Sequence, residues 1–186
     1  MTTQNTYPKS MMHFHLLGLL LVLTAYIVIS MTDLFPKGSI FHNVVLQTHF
    51  FVGLLVLVLV FPRLILRMRK YKEIPPITPE LTKVNKIFVN IGHKALYVWM
   101  LLMPLFGWAL ASATYGSFDI YGIQIPGIVP QSRDNMILFR DLHEMFGGIG
   151  MVLISGHVAM ALWHHFKMQD DTITRMFPWF KWRIKK

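Results

Sequence analysis

Nine histidines and no cysteine stand in this chain of 186 residues, and the histidine spacing is the first chemical signal. His143 and His157 are fourteen residues apart in one apolar stretch. That is nearly four turns of α-helix, so both rings leave the same face, about 21 Å apart along the axis. A hydrocarbon core is roughly 30 Å thick, so one site is expected toward each side of a membrane. His15 opens the first apolar run and His49 lies in the outer part of the second. Antiparallel helices would set His15 opposite His157 at one level and His49 opposite His143 at the other. Two imidazoles from different helices suit six-coordinate iron whose four equatorial ligands are porphyrin nitrogens. Zinc would need four protein ligands, and Glu144 is the only acid directly next to any of these four histidines in sequence. Iron with two axial histidines leaves no position open for substrate, so the expected chemistry is outer-sphere electron transfer and no catalytic residue is assigned. The alternative from another class is a haem-free, histidine-lined transporter of protons or metal.

These histidines need long apolar helices. The composition is 54% hydrophobic with a mean hydropathy of +0.47, and several apolar runs approach twenty residues. The reading is an all-α integral membrane four-helix bundle, one domain over residues 1–186. Spans are expected at about 12–31, 44–62, 93–113 and 138–166, followed by a basic interfacial tail at 167–186. A signal peptide is disfavoured, because the first apolar run is long and no small-x-small cleavage site follows it. Pro62-Arg63 is expected to end the second span and Pro104 with Gly107 to kink the third. Ser132 and Asp134 are candidate caps for the fourth helix, after a loop rich in glycine and proline. Gly147 and Gly150 share the face of His143 and His157, and Gly53 follows His49 by one turn. They would leave room for a large flat group, or else serve close helix packing.

The net charge of +9 is placed unevenly. Lys9, eight basic residues from Arg63 to Lys94 and six from Lys167 to Lys186 stand on one side, against Lys37, Arg133 and Arg140 on the other. The positive-inside rule makes both termini cytoplasmic, and the basic excess contacts anionic lipid rather than nucleic acid. Arg63 and Arg67, one turn apart, are suited to pairing with haem propionates, with snorkelling to headgroups as the alternative. His42, seven residues before His49, is an alternative outer ligand, whereas His13 points away from His15.

Several short stretches form a specific set. They are Phe14-His15-Leu16, His49 with Pro62-Arg63-Leu64-Ile65-Leu66-Arg67, Gly92-His93, Leu142-His143-Glu144, Gly156-His157, and His164-His165 with Asp170-Asp171-Thr172 and Arg175-Met176. Together they resemble the bacterial cytochrome b561 family over essentially the whole chain. The resemblance implies a multi-pass inner-membrane protein with two b-type haems, ligated at positions matching His15 with His157 and His49 with His143. One branch of that family is a superoxide oxidase, passing electrons from periplasmic superoxide to ubiquinone. Other members are quinone-linked carriers or haem anchors for a periplasmic redox protein. Leu16 replaces the usual tryptophan and Leu142 a frequent aromatic. On this reading Lys37, Arg133, Arg140 and His42 are expected to steer superoxide, with Asp33, Asp119, Asp134 and Asp141 opposing them. His164, on the face of His157, and His93 are expected to contact a quinone carbonyl or a propionate.

Overall fold

The computed structural model describes residues 6–180. Four helices are long and apolar enough to cross a membrane. They are α1 (Lys9–Ser30), α2 (Ile40–Arg69), α3 (Lys83–Tyr115) and α4 (Arg133–Trp163). Side-chain caps start three of them: Ser39 accepts from the His42 N–H, Thr82 from Asn85 and Ser132 from Asn135. Each cap satisfies one of the backbone donors a helix start leaves unpaired. Asp134 is in the first turn of α4 rather than at its cap.

Two helix ends differ most from the sequence expectation. Helix α2 runs through Pro62 to Arg69, and α3 begins at Lys83, ten residues before His93. A proline costs one backbone bond, which a membrane helix packed against neighbours tolerates. The continuation carries Arg63 and Arg67 along α2 toward Tyr97 of α3, with guanidinium carbons 5.5 and 5.8 Å from its ring centre.

Helices pack in chain order, α1 on α2, α2 on α3 and α3 on α4. Among the described residues, α4 has no comparable backbone contact with α1 or α2. The gap between them is where side chains must reach across. Trp99 of α3, 5% exposed, helps to fill the bundle centre with Val56, Val60 and Met100. Its indole donates to the Phe146 carbonyl at 2.7 Å and lies on Gly150.

Gly150 therefore does not leave room for a flat ligand. A Cβ there would overlap the Trp99 ring. Gly147 is less confined, with Met103 Cε 3.7 Å from where a Cβ would stand, while its carbonyl accepts the Tyr26 hydroxyl at 2.8 Å. Gly150→Leu is expected to destabilise the whole bundle by about 3 kcal/mol through overpacking. Thermal unfolding in detergent should show an earlier transition, and both histidine pairs should lose any bound cofactor in parallel.

At one end of the bundle, a short hairpin joins β1 (Phe118–Ile120) to β2 (Ile123–Ile125) where an irregular loop was expected. Tyr121 and Gly122 have positive φ at its tip, as a tight two-residue turn requires. Phe118 and Ile120 press on Ala111 with Phe50 and Leu54 around them, closing this end of α2 and α3.

At the other end α4 passes into a π-helical turn (His164–Met168), then a short helix α5 (Thr172–Met176). This segment is latched to the rest of the chain. Asp171 and Thr78 exchange two hydrogen bonds, Arg175 pairs with Asp171 and donates to the Pro75 carbonyl, and the Tyr7 N–H donates to the Arg175 carbonyl. Residues 167–180 of the expected tail thus fold back partly onto the bundle, and Phe177 meets His15 edge-on at 5.8 Å. The remainder of that tail, Lys181 to Lys186, lies outside the described residues.

Candidate functional site

Two histidine pairs span the gap beside α4. His49 of α2 and His143 of α4 have ring centres 6.1 Å apart, and His15 of α1 and His157 of α4 are 6.2 Å apart. A metal–imidazole nitrogen bond is about 2 Å, with about 1.1 Å more to the ring centre, so two rings on opposite sides of one metal stand about 6.3 Å apart. Both pairs match that spacing. Among the described residues no three histidine or carboxylate side chains converge as a protein-only metal cage would need. Two facing imidazoles fit an iron whose other ligands belong to a porphyrin.

The pair nearer the hairpin is held by backbone. His49 Nδ1 is 3.0 Å from the Ala25 carbonyl and His143 Nδ1 is 3.2 Å from that of Met103. A carbonyl can only accept, so each Nδ1 carries the proton and each Nε2 keeps a free lone pair for a metal. Gly107 gives His143 its seat. A Cβ there would lie 2.9 Å from His143 Cε1, so the residue expected to kink α3 instead makes space for a ring. His42, the alternative ligand, has no ring contact with His143 among the described residues.

The second pair borders a cavity of about 550 Å3. His157 is approached from two sides, by His15 and by His93 of α3 at 5.5 Å. The latter separation is short for two rings sharing a metal. Arg63, Arg67, Tyr97 and His164 line the same cavity. Arg63 Nη1 lies 3.9 Å from Met100 Sδ and packs against Gly18, where a Cβ would stand 2.7 Å from it. Among the described residues neither arginine has a carboxylate in ion-pair reach. Two unpaired guanidiniums beside an apolar cavity are electrostatically costly unless an anionic ligand completes them. A haem, with two propionates, is such a ligand.

His164 is 4% exposed, and its Nδ1 bonds the Asp170 carboxylate at 2.5 Å. Lys37 and Arg140, the steering candidates, are exposed, and Arg140 pairs with Asp141 at 3.2 Å. Sequence reasoning overlooked Gly18, Tyr97 and Trp99, and gave Asp170 no role beyond its place in a motif. Only Tyr97 and Asp170 carried a usable signal, one turn after His93 and within the Asp170-Asp171 motif.

A family model described as prokaryotic cytochrome b561 matches residues 6–179. The chain belongs to that family. It is therefore a membrane electron-transfer protein of a family that binds b-type haem. Cytochrome b561 homolog 1 of Escherichia coli K12 is 32% identical over 174 residues, covering 94% of this chain and 98% of the relative. A Yersinia pestis protein named probable superoxide oxidase CybB is 26% identical, covering 88% of this chain and 91% of its own. Cytochrome b561 homolog 2 of Escherichia coli K12 is 24% identical over 70% of this cytochrome and 69% of its own length.

Proposed function

We propose that this cytochrome holds two haems b and passes electrons from superoxide to ubiquinone across a bacterial inner membrane, with both termini cytoplasmic. The observation that carries the reading is the presence of two facing imidazole pairs on one helix, each at the spacing of axial ligands, about 21 Å apart by residue count. His49 and His143 would hold the periplasmic haem. His15 and His157 would hold the cytoplasmic one, with Arg63 and Arg67 at its propionates. Bound haem supplies one-electron, outer-sphere transfer at a site that needs no open coordination position.

The chain's own groups order the rest. Lys37, Arg133 and Arg140 favour an anion at the periplasmic face, against the acids beside them. The cytoplasmic haem would fill much of the cavity that His15 and His157 border, so quinone would approach the edge of that same pocket, which His93 and His164 also line. Two superoxide ions become two dioxygen molecules, and ubiquinone with two electrons and two protons becomes ubiquinol. The name of the 26% identical relative supports the donor. The Arg140–Asp141 ion pair, which reduces steering charge, favours a second reading, a quinone-linked carrier or haem anchor for a periplasmic redox protein.

The purified, haem-loaded protein should reduce its absorption bands on mixing with superoxide, and reoxidise on adding a soluble ubiquinone analogue. Reduction by superoxide at rates no faster than by a neutral donor would favour the second reading.

A further inference from the structure

Helix α1 supplies no ring to the pair nearer the hairpin, yet two consecutive residues of α1 reach both helices that do. His49 Nδ1 of α2 donates to the Ala25 carbonyl at 3.0 Å. The next residue, Tyr26, donates its hydroxyl to the Gly147 carbonyl of α4 at 2.8 Å. Gly147 follows His143 by four residues and precedes His157 by ten. Along the helix axis the bond is thus about 6 Å from His143 and about 15 Å from His157, so it belongs to the level of the His49–His143 pair.

The link crosses the gap in which α1 and α4 lack the backbone contact that neighbouring helices share. A helical carbonyl has two lone pairs, and the bond within its own helix uses one of them. The preceding carbonyl of α4, that of Phe146, accepts the Trp99 indole of α3 at 2.7 Å. Consecutive carbonyls of α4 are therefore held from α3 and from α1. Two ties on opposite sides fix the rotation of a helix about its own axis, which one tie leaves free. Rotation matters here because it swings the His143 ring. The planes of His49 and His143 stand at 86°, against 38° for His15 and His157.

We propose that Tyr26 is a positioning residue for the His49–His143 pair. Its hydroxyl sets the rotation of α4 and so the angle at which His143 faces His49, while the adjoining Ala25 carbonyl sets His49. The inference rests on reading that pair as axial ligands of a haem. Tyr26 acts through the backbone of α4 and not on the group the rings would hold. Removing such an outer-shell partner commonly costs tenfold or more in metal affinity, whereas one hydrogen bond between membrane helices contributes little to the stability of a whole bundle. The effect is therefore local to one site.

The test is Tyr26→Phe in the full-length, haem-loaded protein, which removes the hydroxyl and keeps the ring. Haem transfer to excess apomyoglobin should show two phases in the wild type, the one from this pair being identified by its absence in His143→Ala. In Tyr26→Phe that phase should run about tenfold faster and the other should not change. The ferric EPR signal of the same haem, which depends on the angle between its two imidazole planes, should move, while the signal that survives in His143→Ala stays. Incorporating 4-aminophenylalanine at position 26 keeps a donor on the ring and should restore both wild-type values. Gly147→Ala retains the accepting carbonyl, with Met103 Cε 3.7 Å from the new methyl, and should behave as wild type. Equal acceleration of both phases, or a Tyr26→Phe protein that does not fold, would overturn the proposal, because the hydroxyl would then hold the whole bundle. An unchanged phase and signal would overturn it too. A wild-type protein whose haem content does not change in His143→Ala would instead remove the ligand reading on which the proposal stands.

Discussion

Replacing His157 with alanine should cut the haem content of the purified protein by about half and abolish quinone-coupled turnover, leaving the absorption bands of the other haem in place. The expectation follows from the position of His157. It is the one ring of α4 that both His15 and His93 approach, at 6.2 and 5.5 Å, so no other α4 side chain can take its role. Two companion variants decide which neighbour completes the site. His15→Ala should reproduce the loss, because its separation matches two rings on one metal. His93→Ala should retain haem, with at most a shifted band. A pyridine haemochrome assay per mole of protein, with a reduced-minus-oxidised spectrum, reads all three. The opposite pattern, haem lost with His93 and kept without His15, would reassign the ligand.

Gly107→Leu should remove only the haem proposed between His49 and His143. An added Cβ already stands 2.9 Å from His143 Cε1 and 3.2 Å from Nδ1, and leucine places three further carbons beyond it. The ring must leave its seat, breaking the bond to the Met103 carbonyl that directs Nε2 into the gap. Haem content should fall by about half, as for a lost axial ligand. Dithionite should still reduce the remaining haem, while superoxide-driven reduction should disappear. Gly148→Ala, with nothing within 4 Å of its Cβ, is the control and should behave as wild type. Gly107→Ala adds one methyl at the same contact and should weaken haem retention without eliminating it. Full haem content in Gly107→Leu would mean that His143 is not held where the structure holds it.

The contrast between Gly107 and Gly150 explains why the sequence could be read so far and no further. Both glycines lie in apolar helices, and neither carries a side chain whose chemistry announces a partner. Gly150, on the face of the two histidines, was expected to leave open space and is covered by Trp99. Gly107, expected at a kink, is the seat of His143. A glycine's role is set by what stands opposite it on another helix, and that depends on the relative rotation of two helices, which no single-helix pattern encodes. The same holds for Asp170. Its sequence neighbours are evident, but the chain must turn through a π-helical step and Gln169 at positive φ to bring the carboxylate back to His164.

By itself the sequence determined the helices, the depth of each histidine along them and the side on which basic residues collect. These follow from residue order within one span, through the fixed rise and turn of an α-helix and the cost of charge in lipid. It also determined the expectation of two ring pairs, because antiparallel packing of neighbouring spans matches depths. Only the tertiary structure decided that α2 continues past Pro62, that His157 has two imidazole neighbours rather than one, and that Arg63 and Arg67 converge on Tyr97. It likewise decided that residues 172–177 return beside the cavity that His15 and His157 border. Each of these turns on lateral distances between helices, and those are settled by side chains packing across a gap, not by the periodicity of any one segment.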